Sequence, residues 1–502
     1  MPQNLKLRSI RKLEFAREFR DPVYNYIHVT NFENEVIDSE IFQRLDGLSQ
    51  MPTARYVYPS GVYSRKTHSL GAMHLMNKAI LHILYLHSEE LRGNISPLLF
   101  GESVVFREDR DALIDQLSKQ GVNDWWDSKE LDEIIQYSRL AGLLHDIGHA
   151  PFSHTFEDLT KRLFERKEIS IEFDHEKMSR DIIKEKETDL NLGKPFKAEE
   201  IIDILNKDDD GKAPKFLKEL INGPYDCDKL DYLMRDSYHV GTPEYGNIDV
   251  DRIIDGFRVK DRVLCISSSA LHAVMSSFRA IQSMYTAIYY HRTSRVFDLM
   301  IADALSEVPE FIEEIISSID EFLKYDDHSI VYAIQEKAHG ENSLAERFKK
   351  ASKILKMVRN RQKTYKTVLE YPLSFPLVAI IDPEKDIQET ESEIMDFVAK
   401  CHAKDFNIRC DYRPSIRPIG IESGEILKWL IKARIYDSMD NKVKTLEEIS
   451  SAYSDDLGHY TILFRVFADK KKYKDDEHTA RKIGDESKER LEELQKKWRR
   501  LS

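Results

Sequence analysis

The sequence predicts a mainly α protein, with a helical amino-terminal core followed by a smaller α+β lobe. Three observations carry this. Long stretches before about residue 310 place apolar residues at three-to-four spacing, β-branched and alternating runs appear after it, and clusters of turn residues separate the segments. A chain of 502 residues exceeds one ordinary core, so the expected units are residues 1–310 and 311–502.

Each element follows from its local pattern. The opening MPQNLKLRSIRKLEFAREF breaks its apolar residues with Arg and Lys before a signal-peptide core could form, and no run approaches the length of a membrane span. Residues 58–66 (YPSGVYSRK) read as a loop. Residues 68–92 and 129–148 each carry an apolar stripe that predicts a helix packed on one face. HAPFSH at 149–154 and GTPEYGN at 241–247 are turn-rich connections. The Tyr- and Phe-rich stretch 268–307 predicts one long helix or two. LVAIID at 377–382 and YTILFRVF at 460–467 predict strands, and the Lys/Arg-rich end KERLEELQKKWRRLS predicts a solvated terminal helix.

Apolar residues at 41% and charged residues at 32% exclude general disorder. The formal net charge of −13 excludes a general nucleic-acid coat protein, because affinity for phosphate backbones comes mainly from Lys and Arg. A local exception is Arg347 to Lys366, which holds nine Lys or Arg and no acid. Unbroken charge of one sign predicts a nucleotide or nucleic-acid contact there, against the ordinary reading of a solvated helix face. Cys227, Cys265, Cys401 and Cys410 form no CxxC and no zinc spacing, which fits a reducing cytoplasm.

The chemistry concentrates in four short stretches. LLHDIGHAPFSH sets His145 beside Asp146 at the end of an apolar helix, with His149 one turn on and His154 just beyond. Imidazole nitrogen and carboxylate oxygen are suitable ligands for a first-row divalent metal, although the pair alone also fits a helix-capping cluster. SRKTHSLGAMHL supplies Arg65 and His68, and FDHEKMS supplies His175. PYDCDKLDYLMRDSYHVG places Asp228, Lys229, Tyr232 and Asp236 along one side of a helix, whose other side is apolar through Leu230, Leu233 and Met234. Asp226 and Asp231 read as supporting groups, and His74, His82 and His87 as core or surface histidines.

The order RxxHSLG, LAGLLHDIGHAPFSH, DHE and DCDKLDYLMRD resembles the HD-domain phosphohydrolases, most of all their deoxynucleoside triphosphate triphosphohydrolase branch, over roughly residues 17–305. The resemblance implies an all-helical HD core and a metal held by His68, His145, Asp146 and Asp228. It implies phosphate contacts from Arg65 and Lys229, with His154 facing the α-phosphate, and sugar contacts from Tyr232 and Asp236. His149, His175 and Glu157 match the catalytic set, where the family more often has Asp in place of Glu157. RDPVYNYIHV and EIFQRLDGLSQM resemble the family's entry segment. In it Gln50 matches the reader of the deoxyribose 3′-hydroxyl, and Met51 stands where a Leu packs on the sugar. Tyr289 matches a tyrosine lying against the sugar, but the neighbouring His and Arg of the family are replaced here by Tyr285, Thr286 and Ala287. Each role has a bland competitor: ion pairing for Arg65 and Lys229, backbone hydrogen bonding for His149 and His154, and core packing for Tyr289.

The implied reaction is metal-dependent hydrolysis of a deoxynucleoside triphosphate to nucleoside and inorganic triphosphate, with His149 or His175, tuned by Glu157, as the general acid. Iron, manganese or zinc suits the ligands, and magnesium would accompany the polyphosphate. The resemblance also implies a homo-oligomer with a regulatory nucleotide between subunits. Asp38 matches an acid that recognises guanine in such sites, whereas Asp46 replaces an Arg and Arg17 stands in for a Lys. Two other functions compete: an HD phosphodiesterase acting on a cyclic nucleotide or nucleic-acid end, and a catalytically silent nucleotide-binding scaffold.

Overall fold

The computed structural model describes residues 15–86, 131–193, 196–207, 211–246, 248–260, 263–376, 383–400, 406–414, 434–437, 442–445, 448 and 459–499. Strands β1 (Phe15–Asp21) and β2 (Asn25–Thr30) form an antiparallel hairpin. Its turn follows from RDPVYN: Asp21 Oδ1 accepts from the backbone N–H groups of Val23 and Tyr24, each at 2.9 Å, and Asn25 takes the left-handed φ of 65° that Asn tolerates. Thr30 then starts α1 (Asn31–Ile37) through a reciprocal capping box with Glu33, and α2 (Glu40–Gln43) follows.

The centre of the bundle is α3 (Arg65–Leu86), buried all round through residues such as Met73, Met76, Ile80 and Leu84. It packs against α4 (Leu131–Leu144) and α7 (Cys227–Val240), introduced in chain order after α5 (His154–Glu165) and α6 (His175–Glu185). Both contacts are close because they lie at glycines. A Cβ at Gly71 would overlap the Asp231 carboxylate, and one at Gly142 would sit 2.9 Å from Met73 Cα. Asp226 caps α7 by accepting from the Lys229 N–H, and Gly241, at φ 76°, ends it.

Strands β3 (Phe257–Lys260) and β4 (Val263–Ser267) precede α8 (Leu271–Met284) and α9 (Arg292–Ser306), so the amino-terminal core carries two small hairpins beside its helices. The stretch 268–307 resolves into two helices, separated by a π-helical turn over Tyr285–Tyr289. Next come α10 (Pro309–Ile316), α11 (Ser329–Lys337) and α12 (Ser343–Arg359). Their Phe311, Ile315, Ile334, Phe348 and Leu355 join the first core, because the three-to-four apolar spacing continues past residue 310 and packs on α9. The packing therefore changes near residue 365, later than the expected 310.

The second core, with Leu373, Ile394, Phe464 and Ile483, fills the smaller α+β lobe. Here β5 (Tyr365–Pro376), α13 (Pro383–Lys400) and β6 (Arg409–Pro414) are followed by β7 (Ile435–Asp437), β8 (Lys442–Lys444), β9 (His459–Asp469) and α14 (Glu477–Arg499). One antiparallel sheet has the order β5-β9-β6, and β4 extends the other as β3-β4-β7-β8. YTILFRVF is the middle strand β9, and LVAIID lies outside the described residues. The terminal helix α14 is more than a solvated rod: Ala480, Ile483, Ser487, Leu491 and Leu494 bury one stripe of it against β5 and α13. No helix among the described residues is long and apolar enough to cross a membrane.

Candidate metal centre and substrate cavity

Helix α4 stops at Leu144, and the turn after it carries His145 and Asp146. His145 Nδ1 donates to Gly142 O at 2.9 Å. His68, in the first turn of α3, donates from Nδ1 to Asp231 Oδ2 at 2.8 Å. A carbonyl and a carboxylate only accept, so each ring carries its proton on Nδ1 and turns Nε2 the other way. His68 Nε2 lies 3.0 Å from Asp228 Oδ1 and 3.7 Å from Asp146 Oδ2. His145 Nε2 lies 3.3 Å from Asp146 Oδ1 and 3.6 Å from Asp228 Oδ1. All four sequence-predicted metal ligands thus converge.

Both Nε2 atoms are buried without a well-formed hydrogen bond. Two imidazole lone pairs facing two carboxylates is an unfavourable arrangement unless a cation lies between them, and two His with two Asp is a donor set that suits zinc, iron or manganese. The same electrostatic field acts on protons. Burial pushes His68 down, but the Asp228 and Asp231 carboxylates beside it outweigh this and raise it to about 10; burial pushes His145 down too, and Asp146 and Asp228 raise it on balance. The residues present fit a divalent metal.

Supporting groups reach across the bundle. Arg235, fully buried, grips Asp231 with Nε and Nη2 at 3.0 and 2.9 Å, and donates from Nη1 to Asp21 Oδ2 at 2.6 Å. Arg65 is buried as well. Its Nη1 donates to Asp146 Oδ2 at 2.5 Å, and its Nε to Ser153 Oγ at 2.9 Å. The ion pair that competes with phosphate binding for Arg65 is therefore present, but it is a buried one at the candidate metal site rather than a surface pair.

The histidines beyond the metal centre share one acid. Glu157 Oε1 accepts from His175 Nδ1 at 2.7 Å, and Oε2 accepts from His154 Nδ1 at 3.1 Å, so one carboxylate bridges both rings. His149 stacks on His175 with centroids 4.2 Å apart, and its Nε2 is 3.3 Å from Asp146 Oδ1. Their proton affinities diverge. Burial, Arg65 and His175 push His149 well below the usual imidazole range, whereas Glu157 outweighs burial and raises His175. Burial would raise Glu157, but His175 and His154 pull it far below the usual carboxylate range.

HAPFSH holds these rings in place through a strained loop. Phe152 and Ser153 adopt φ of 60° and 51°, costing about 1–3 kcal/mol each. Asp327 secures the strain: its Oδ1 accepts from Phe152 N at 2.7 Å, and its Oδ2 from Ser49 N at 2.9 Å. Sequence reasoning missed Asp327, which no motif marks and which sits far along the chain.

A cavity of about 420 Å³ opens beside the metal centre. Gln50, Arg65, His154, Glu157, His175, Tyr232, Asp236 and Tyr289 line it. Gln50 Oε1 is buried and has no hydrogen-bond partner among the described residues. Tyr63 and Tyr289 both donate to Asp236, at 2.5 Å each, and burial raises Asp236 to about 6 against those bonds. Lys229 is not on the cavity wall: its Nζ bonds Asp226 Oδ2 at 2.5 Å and Gly223 O at 3.3 Å. Where the family's His and Arg are missing, Tyr285 packs edge-on against Tyr289, with centroids 4.9 Å apart. Tyr63, Lys161 and Arg295 were also missed. Arg295 is held bidentately by Asp411 of β6, so the second lobe buttresses the cavity.

Residues 127–236 match the HD domain family, and residues 248–372 match the HD associated region. The chain belongs to the HD-domain phosphohydrolase superfamily. HD domains bind divalent metals, in keeping with the convergent His and Asp ligands. Among HD relatives, an uncharacterized protein of Methanocaldococcus jannaschii is 30% identical over 357 residues, 70% of this chain and 59% of that protein. The deoxynucleoside triphosphate triphosphohydrolase SAMHD1 homolog of Dictyostelium discoideum is 28% identical over 367 residues, 72% of this chain and 61% of that protein. The alignments thus span about three-fifths of these curated relatives. A crystal structure of a phosphohydrolase from Bacteroides thetaiotaomicron shares the fold, with a TM-score of 0.61 and 20% identity over 90% of this chain and 99% of that one.

Proposed function

We propose that this HD protein hydrolyses deoxynucleoside triphosphates to the deoxynucleoside and inorganic triphosphate. One observation carries the reading: the four-donor set, with two unsatisfied imidazole nitrogens, adjoins a cavity in which Gln50 Oε1 is also unsatisfied. The names of the Dictyostelium and human relatives, both deoxynucleoside triphosphate triphosphohydrolases, support the substrate class.

A divalent ion held by His68, His145, Asp146 and Asp228 would acidify a water and polarise the phosphate. Arg65 fixes Asp146 and brings positive charge to the cavity wall, where charge grows on non-bridging oxygens. His175, kept protonated by Glu157, has a proton for the departing 5′-oxygen; His149, kept neutral, stacks on it and holds its plane. His154 is oriented by the same carboxylate toward the α-phosphate. Gln50 Oε1 accepts from a 3′-hydroxyl. Tyr289, anchored on Asp236, and Tyr232 form the sugar wall. Lys229 would reach a phosphate only by leaving Asp226.

The test is a product assay of the metal-loaded protein with the four dNTPs, NTPs and cyclic nucleotides, resolving triphosphate from pyrophosphate and phosphate. Stoichiometric triphosphate and deoxynucleoside is the expected result. Hydrolysis of cyclic nucleotides alone, or release of pyrophosphate or phosphate, would overturn the reading.

The same resemblance supports a homo-oligomer regulated by a second nucleotide. The proposed guanine reader, Asp38, is engaged by Arg17 Nη2 at 2.8 Å and Asn34 Nδ2 at 3.1 Å, and Asp46 accepts from Ser64. An acid already paired, with Asp46 standing where the family has an Arg, disfavours a guanine triphosphate in that pose. Regulation should therefore use another nucleotide. Solution mass, and rates for dNTPs singly and in pairs, test this; a monomer indifferent to a second nucleotide would reject it.

A further inference from the structure

A second cavity, of about 280 Å³, lies behind the catalytic one, between the 3₁₀ turn Ala54–Tyr56, α11 and α12. Three cations line it: Arg55, Lys356 and Arg359. None of their side chains has a hydrogen-bond or ion-pair partner among the described residues; Arg55 only lies over the Tyr56 ring, at 5.3 Å. Lys356 and Arg359 are three apart on α12, so they project together from successive turns. The one acid on the wall, Asp327, is committed to Ser49 N and Phe152 N. Most other cations of this basic stretch do have partners: Arg347 pairs with Glu310, Lys349 with Glu346, and Arg361 bonds Tyr56 O. The unpaired charge is thus concentrated at the concave surface, which a merely solvated helix face does not explain.

We propose that this cavity binds a polyphosphate group. Three converging cations offset most of the charge of a triphosphate, and a space just below the roughly 300–1,000 Å³ range of ligand sites suits a compact anion. Tyr56 and the exposed Tyr332 flank it, so an attached base has aromatic faces on which to stack. Pro52 and Phe152 belong to both cavities and form the wall between them. An anion here presses on the strained turn that presents His154.

The inference goes beyond the proposed reaction, and its readout is binding rather than turnover, so failure of one leaves the other standing. Calorimetric titration of the full chain with inorganic triphosphate should count two equivalents, one per cavity. Lys356→Glu with Arg359→Glu, both exposed, should lose one equivalent at an unchanged melting temperature, and Arg55→Gln should weaken the same equivalent. A nonhydrolysable nucleoside triphosphate separates the two sources. Tighter binding than triphosphate, abolished by Tyr332→Ala, assigns a nucleotide; equal binding assigns the phosphate chain alone. A single equivalent untouched by the charge reversal would overturn the proposal. So would a site that takes single-stranded oligonucleotide and no triphosphate.

Discussion

Glu157→Gln isolates the charge that sets the proton inventory of the site. The substitution keeps the side-chain length and one acceptor oxygen, so the geometry to His175 at 2.7 Å can persist. What disappears is the charge assistance. Charged hydrogen bonds are roughly twice as strong as neutral ones, a difference of about 1–2 kcal/mol, or about 5- to 30-fold in the protonated population. The sign follows from the two shifts. His175 is raised, so its proton and the stability of the pair are present at low pH and are lost as pH rises through its folded value. Glu157 is depressed, so its contribution is present above the ordinary carboxylate range and is lost only in strong acid. The ion pair therefore spans neutral pH. In the variant the alkaline limb of kcat should move to lower pH, with metal content unchanged, and kcat at pH 8 should fall by about 5- to 30-fold. Steady-state rates from pH 5 to 10, with metal analysis at each end, measure it. An unmoved limb with full turnover would refute the assignment of His175 as the acid.

His145→Ala and Asp146→Ala should each lose bound metal and activity together, as metal analysis would show; full occupancy and turnover in both would remove the ligand assignment. His149→Ala removes the ring on which His175 stacks, so it should retain metal yet lose on the order of 10²-fold in kcat, as for a misplaced acid, and normal turnover would return the ring to packing alone. Asp231→Asn loosens His68 and should weaken metal affinity about 10- to 100-fold, read by competition with a chelator. Asp327→Ala strands two partly buried N–H groups, at up to about 1–3 kcal/mol each, so the urea midpoint and kcat should both fall. A folded, fully active Asp327→Ala protein would show that the strained loop holds itself.

The helices and the convergent His and Asp cluster were legible because each has a local signature. Apolar spacing marks α3 and α4, and HDIGHAPFSH ends a helix on residues that an apolar end does not call for. Glu157 was legible as an acid, while its grip on two rings depended on the φ values of Phe152 and Ser153, which sequence does not display. Lys229 shows the limit of spacing: it shares a helix side with Asp228, but its long side chain bends back to the capping Asp226 one turn earlier. Tyr63 and Asp327 were invisible because they act from loops, through contacts distant in sequence. The lobe boundary was misplaced for a related reason, since helices after residue 310 follow the same pattern as those before it and nothing in periodicity says which core they join.

The buried charges of this bundle form a connected series, Asp21 to Arg235 to Asp231 to His68, running from the first hairpin through α7 to the first turn of α3. Replacing such a buried series with apolar residues of similar volume is often neutral or stabilising by about 1–4 kcal/mol, so fold stability alone does not account for it. Its geometric effect is specific. With Nδ1 of His68 committed to Asp231, only Nε2 can face Asp146 and Asp228, and with Arg235 gripping both Asp231 oxygens that carboxylate cannot rotate away. The hairpin that starts the described chain and the motif on α7 thus aim one nitrogen lone pair into the candidate metal site. Arg235→Met with Asp231→Leu and Asp21→Asn, which leaves neither acid of the series charged, should therefore separate the two roles: the fold retained, metal affinity lost. A triple variant that keeps its metal would mean that packing alone orients His68.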